Sequence, residues 1–559
     1  MRHTQLKAQT AAFFLFAALA ASPTFFAQAP ADKSPALQQA EAAIAPANLL
    51  KHIQVLSSDA YTGRAPGTEG ETKSVAYITA QAKAIGLEPG NPDGTYTQTV
   101  KLWGILPGAN TLTLIANGHA QPLGAGIDYV VWSALPDPKI NIAPTGVVFV
   151  GYGVVAPEYR WDDYAGVDVH GKTVVVLSGD PPVANSTDPT KLDESMFLGR
   201  ALTVYGRTGT KFDTAFKHGA AAVILVSATP QPAPALFQNY TRETMTIRDS
   251  HDRDHVKAQA LLSLARATEL FSNPSTPFDT LRAAAAKPSF HAVPLSAQAA
   301  FTINSRIRQV DSHNVVAKIT GSDPVLKDQY VIYSGHWDHH GQVGANIYHG
   351  ASDNAAGTAG VLELARAFKT MHPSPRRSIL FLWPTAEEKG LLGARYYVEH
   401  PLYPLADTVA DINLDYFSNW GWGRTHDFSI VGIGNSTLDD LTESAVAAQG
   451  RVTTGDTAPE QGFYFRSDHY EFARGGVPSI ETSPGIDYVG KPADFGTKTR
   501  AEYIAHDYHQ PSDVIKPGWD LTGAVEDLQV LLDVGYRVAQ SDTRPTWKPD
   551  AVWRPKPGQ

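Results

Sequence analysis

Residues 330–340 read YVIYSGHWDHH, and this stretch decides the fold. Tyr330–Ser334 is an apolar run of strand length, and histidines and a carboxylate crowd the loop just past its end. The pattern recurs downstream. Apolar runs at 330–334, 378–383, 409–414 and 477–481 alternate with helical spacing at 355–369, 391–399 and 438–449. That alternation predicts an α/β fold, a mixed, largely parallel sheet with helices on both faces. Ligands of such sheets collect at the carboxyl ends of the strands.

Several short segments place polar groups at that edge: His336-Trp337-Asp338, Ser352-Asp353-Asn354, Glu387-Glu388, Asn413-Leu414-Asp415 and Tyr508-His509. Each alone is compatible with a solvated loop or a capping pair. Together they supply nitrogen and oxygen donors for two divalent cations. The carboxylates of Asp353, Glu388 and Asp415 offset three of the four positive charges, while neutral imidazoles of His336 and His509 offset none. A bridging hydroxide would supply the fourth negative charge, so the expected nucleophile is an activated water.

Adjacent residues project to different sides, so Glu387 and Glu388 are expected to divide the work. One binds a cation and the other is the general base. Asp338 is placed to accept the second ring proton of His336, with a turn-forming aspartate as the plainer alternative. His339 and His340 are expected to pack the loop. In Arg466-Ser467-Asp468-His469-Tyr470, the aspartate and histidine either support the ligands from behind or cap a helix at 470–474.

The chain has 559 residues, enough for about three domains of ~150 residues each. Lysine plus arginine total 46 against 56 aspartate plus glutamate, and a net charge of -10 offers no footprint for nucleic acid. Without any cysteine, disulfides, thiolate metal sites and a cysteine nucleophile are excluded. No GxSxG elbow or HExxH helix is found. At the amino terminus, Arg2 and Lys7 precede the apolar Ala11–Ala21, which predicts a signal peptide over 1–31 and export to the periplasm or medium. No second long apolar segment follows, so no stable membrane insertion is expected after its cleavage.

Helical spacing is read at 49–56 and at 72–85, where Gly86 is placed as the stop, then at 214–221 and 256–271; strands are read at 147–150, 172–177 and 222–226. The organisation expected is an amino-terminal part of the catalytic domain at 32–140, a mostly β insert at 141–298, the metal-binding domain at 299–543 and an irregular Pro/Trp-rich tail at 544–559.

With SGHWDH, GASDNAAG, AEEKGLLGA, INLDYF and YHQPSD assembled in this order, the segment from Asp311 to Asp542 resembles the dizinc aminopeptidase family, which also contains glutamate carboxypeptidase and the transferrin receptor. The loop GRAPGTEG looks like the family's amino-terminal portion, and the middle segment resembles the protease-associated domain inserted in many members. The resemblance implies two zinc ions, one held by His336 and Asp415, the other by Glu388 and His509, with Asp353 bridging. It also implies Glu387 as general base, Asp338 as the orienting residue and Tyr508 as a donor to the tetrahedral oxyanion. Ser352 stands where many members have a second aspartate, and the segment Arg466–Asp468 corresponds to one that can lie near the substrate's amine.

The activity implied is hydrolysis of amino-terminal residues from peptides with a free amino terminus. Carboxypeptidase or dipeptidase action would need basic groups aimed at a carboxylate, for which Arg366, Arg395 and Arg424 are candidates. Aminoacyl cyclisation at a related single-zinc site is a further alternative. A catalytically silent receptor should have lost ligands, and here every ligand position is filled.

Overall fold

The computed structural model describes residues 33–116, 118–227, 237–248, 255–272, 276–415 and 421–554. The expected signal peptide at 1–31 and the end of the tail, 555–559, lie outside them.

The first sheet is built on strands β1 (Thr97–Pro107), β2 (Val293–Ile319), β3 (Tyr330–Ser334), β4 (Ser378–Trp383), β5 (Thr408–Asn413), β6 (Asp427–Val431), β7 (Val452–Gly455) and β8 (Ser479–Pro484). Their order across the sheet is β1-β2-β4-β3-β5-β8-β6-β7. The middle strands β4, β3, β5 and β8 run parallel, whereas β2 and β6 meet them antiparallel. The mixed, largely parallel sheet is thus present.

Central strands such as SILFLW in β4 are buried along their whole length, as a sheet covered on both sides requires. Side chains alternate between faces. Val331, Tyr333, Ile379, Phe381 and Trp383 face a core shared with helices Glu69–Ile85, Gly357–Lys369 and Thr522–Gln540. Ile332, Leu380 and Leu382 face the other way, onto helices Leu392–Glu399 and His469–Arg474. Gly86, at φ 83°, ends the helix Glu69–Ile85 in the left-handed conformation that glycine adopts without penalty.

A second sheet is drawn from the chain between β1 and β3. It takes in Thr111–Ala116, the first part of β2, Lys139–Phe149, Thr173–Leu177, Ala222–Val226, Ala258–Leu262 and Tyr129–Trp132, in that order. Residues from both sides of the expected division at 140/141 therefore share it. The helix expected over 256–271 is instead the buried strand Ala258–Leu262, parallel to Ala222–Val226, followed by a helix over Leu264–Phe271 that Ser263 caps. The helix expected at 214–221 sits earlier, at Thr208–Lys217. No described helix is long and apolar enough to cross a membrane.

Candidate active site

Because β3, β4, β5 and β8 are parallel, their carboxyl ends open on one edge, and the side chains singled out in the sequence meet there. His336 lies two residues past β3 and is fully buried. Its Nδ1 is 3.2 Å from the main-chain oxygen of Asp338. Its Nε2, buried without a hydrogen-bond partner, lies 3.5 Å from Asp353 Oδ1, 3.4 Å from Asp415 Oδ1 and 3.7 Å from Glu387 Oε2.

Asp353 turns its other oxygen, Oδ2, to His509 Nε2 at 3.1 Å, and that nitrogen is 3.2 Å from Glu388 Oε2. One carboxylate therefore spans two histidines. All the residues proposed from sequence as ligands, together with Glu387, are brought to one place.

The scaffold beneath is specific. The main-chain amides of Ser352 and Asp353 donate to the buried Asp513 carboxylate, both within 3.0 Å. Asp415 Oδ2 accepts from Ser467 Oγ at 2.7 Å. Arg64, wholly buried in the GRAPGTEG loop, donates to the carbonyls of Leu56, Trp337, His349 and Gly350 at 2.6 to 2.9 Å. It ties the segment bearing His336 to the one bearing Asp353. Sequence reading assigned Arg64 no role, because its acceptors are scattered over nearly 300 positions.

Asp338 divides its duties. Its main-chain oxygen faces the His336 ring, while its carboxylate stands 3.7 Å from Nδ1 and accepts from the Glu387 amide at 3.0 Å. It thus fixes the loop that carries Glu387 and Glu388. That loop begins at Ala386, whose φ of 53° is left-handed, as is the 58° of His509. Such backbone in a non-glycine residue costs of order 1 kcal/mol and concentrates where geometry serves a site.

Glu387 and Glu388 are driven in opposite directions. Burial pushes the Glu387 carboxyl well above its ordinary range; His336 opposes the shift, while Asp415 and Glu388 add to it. Burial would raise Glu388 as well, but His340, His509 and His339 outweigh it and hold this carboxyl low. Asp353 is likewise held low against its burial by His336 and His509. Neighbouring carboxyls with opposed shifts are what an acid–base group beside a ligand requires.

His339 and His340 do more than pack the loop. His339 Nδ1 is 2.5 Å from Glu388 Oε1, and His340 Nε2 is 3.5 Å from Glu388 Oε2. An adjacent pair of histidines beside the HxD motif was the available signal.

Tyr508 stacks on His509 at 3.8 Å between ring centres, and its hydroxyl accepts from Arg466 Nη2 at 2.9 Å. Both line a cleft with Asp353, Glu387, Asp415 and Phe463. Asp468 makes no cap to the helix His469–Arg474, and both its carboxylate oxygens are buried without partners. Arg366, Arg395 and Arg424 pair with Glu363, Glu399 and Glu526 and do not line the cleft.

The donors fit divalent cations. Several carboxylates and imidazoles, oxygen and nitrogen only, surround a small buried space, and a histidine nitrogen points into it with nothing to bond. So much buried negative charge is stable only when compensated by cations. His336, Asp353 and Asp415 form one potential ligand group, and Glu388 and His509 meet in another.

Residues 314–532 match the model of peptidase family M28. Over 133 residues the chain is 38% identical to the mouse protein named aminopeptidase NAALADL1, covering 22% of this chain and 17% of that protein. It is 29% identical over 178 residues to leupeptin-inactivating enzyme 1 of Streptomyces exfoliatus, 32% of this chain and 37% of that protein. The chain thus matches well under half the length of these curated relatives. The solved structure of an aminopeptidase from Aneurinibacillus sp. strain AM-1 aligns over 93% of this chain and 98% of its own, with a TM-score of 0.52 and 19% identity, which shows a shared fold.

Proposed function

From the match of residues 314–532 to the model of peptidase family M28, we propose that the chain is a zinc-dependent exopeptidase that hydrolyses amino-terminal residues from peptides. The observation that carries this reading is the Asp353 carboxylate, with one oxygen 3.5 Å from His336 Nε2 and the other 3.1 Å from His509 Nε2. A group so placed suits a bridge between two ions, the first held with His336 and Asp415, the second with Glu388 and His509. Bound zinc supplies Lewis acidity for the scissile carbonyl and lowers the pKa of water.

The chain's own residues do the rest. Glu387 takes the proton of the attacking water and passes it to the leaving amine, a transfer suited to a carboxyl whose pKa burial has raised. Tyr508, oriented by Arg466, donates to the developing oxyanion. The carboxylates lining the cleft attract a cationic amine. Arg466 on the same wall favours a second reading, carboxypeptidase or dipeptidase action, in which it would meet a carboxylate. The same proposal includes export directed by residues 1–31, to the periplasm or the medium, and a protease-associated module built on the second sheet, which takes in Thr111–Ala116 and Tyr129–Trp132 besides the strands within 141–298.

A panel of amino-acyl anilides, free dipeptides and N-acetylated peptides tests this. Turnover of substrates with a free amine is expected to vanish with chelator and return with zinc. Equal cleavage of blocked and free amino termini, or indifference to the chelator, would sink it. Glu387→Gln should keep its metal and lose about 10²- to 10⁴-fold in turnover.

A further inference from the structure

The two metal positions are not built alike. His336 reaches its position with the carboxylates of Asp353 and Asp415, one nitrogen and two oxygens. Around Glu388 the imidazoles crowd. His340 Nε2 and His509 Nε2 approach the same oxygen, Glu388 Oε2, at 3.5 and 3.2 Å, and the three groups offer ligand atoms within 4.8 Å of one another. A tetrahedral ion with bonds of ~2.0–2.1 Å sets its ligands about 3.3 Å apart, close to the two separations from Glu388 Oε2.

The His340 side chain is only 8% exposed, and neither of its ring nitrogens has a hydrogen-bond partner. An imidazole in that state carries a desolvation cost that nothing in the protein offsets. His339, which groups with Asp353 and Glu388 and whose Nε2 is likewise unpartnered, meets the other oxygen of Glu388. Its Nδ1 is already engaged by Glu388 Oε1, which leaves Oε2 turned toward His340 and His509.

We propose that His340 is an additional protein ligand at the Glu388–His509 position, so that this position binds its ion more tightly than the one at His336. The inference rests on the metal-dependent reading above. At that position His340 joins Glu388 and His509 as a third group, with Asp353 Oδ2 3.1 Å from His509 Nε2 on the other side. The first ion would be held by one imidazole and two carboxylates, with Glu387 Oε2 3.7 Å from His336 Nε2. The extra imidazole also favours zinc, cobalt or nickel over magnesium or manganese.

Full-length protein loaded with zinc and equilibrated against graded chelator, with bound metal counted by elemental analysis, tests the inference. The native chain is expected to release zinc in two steps, one equivalent at least about tenfold tighter than the other. In His340→Ala the tight equivalent should weaken by about tenfold or more, with the loose one unchanged. His340→Gln, closer in volume, should do the same, and equal melting temperatures of the metal-free forms check that the fold is kept. Zinc-edge absorption of the one-equivalent native protein should show one more imidazole than that of the variant. Two equal sites in the native chain, an unaltered tight equivalent in both variants, or a loss that follows His339→Ala alone would overturn the role of His340. A native chain that binds no zinc would instead overturn the metal reading itself.

Discussion

Asp411, on β5 below the ligand edge, is wholly buried with Oδ1 at 2.8 Å from Ser334 Oγ and Oδ2 without a partner. Burial raises its pKa from 3.8 to about 8, only partly opposed by the Ser334 hydroxyl. Since the folded-state value is the higher one, the folded chain holds this proton where the unfolded chain has released it. Its contribution to stability is full below pH 3.8 and is lost as pH rises through about 8. Urea unfolding of zinc-loaded native chain and Asp411→Asn at several pH values should therefore diverge. The native chain is expected to lose about 1.4 kcal/mol per pH unit relative to the variant across that window, then level off. Parallel profiles would place the proton elsewhere. The same scale separates what the sequence discloses from what it hides. His336, Asp353, Glu388, Asp415 and His509 are legible as a set, because together they supply the nitrogen and oxygen donors that two cations need. His340 and Arg64 are not, because their meaning depends on where a ring or a guanidinium points once distant segments have closed around it.

Among the elements, the buried strands are the most legible, since an uninterrupted apolar run such as SILFLW has few other places to go. The segment from 256 to 271 shows the limit. Its AQALL portion, Ala258–Leu262, is made of good helix formers, and only pairing beside Ala222–Val226 makes it a strand. The helix Gly357–Lys369 adds a constraint invisible to periodicity. At Gly357 a Cβ would stand 2.1 Å from the carbonyl oxygen of Leu414 and 2.2 Å from Asn354 Oδ1, so only glycine lets the helix start this close to β5. Gly357→Ala must push the helix off the strand end that carries Asp415. A loss of about 1–3 kcal/mol in chemical denaturation is expected, together with weaker zinc binding in the chelator assay. An alanine variant with native stability and metal content would show that the helix start is free to shift.

Across the molecule, the single strand β2 serves both sheets, pairing with Lys139–Phe149 in its first part and with β1 and β4 further on. Such continuity leaves no composition break at its middle, which is why a boundary near 298 is hard to place from sequence. The second-sheet half also reaches the cleft. Leu202 donates its amide to the Pro459 carbonyl at 3.0 Å, and its side chain fills the space over Gly462. Arg200 pairs with Glu460 at 3.2 Å, and Arg207 lies over the Tyr470 ring at 4.4 Å. The segment gripped in this way, 459–470, supplies Phe463, Arg466 and Ser467 to the cleft wall. The second-sheet half thus touches the cleft wall, while Glu387 and the clustered histidines and carboxylates come from other loops. Leu202→Asp sets a charge against the aromatic cluster of Phe463, Tyr464 and Phe465 and loosens that wall. Steady-state kinetics on a free-amine peptide should then show KM raised about three- to tenfold with kcat within about twofold, the signature of lost uniform binding. A fall in kcat with KM unchanged would mean that the contact acts on the reacting groups, and native kinetics from a folded variant would mean that the insert merely sits beside the cleft.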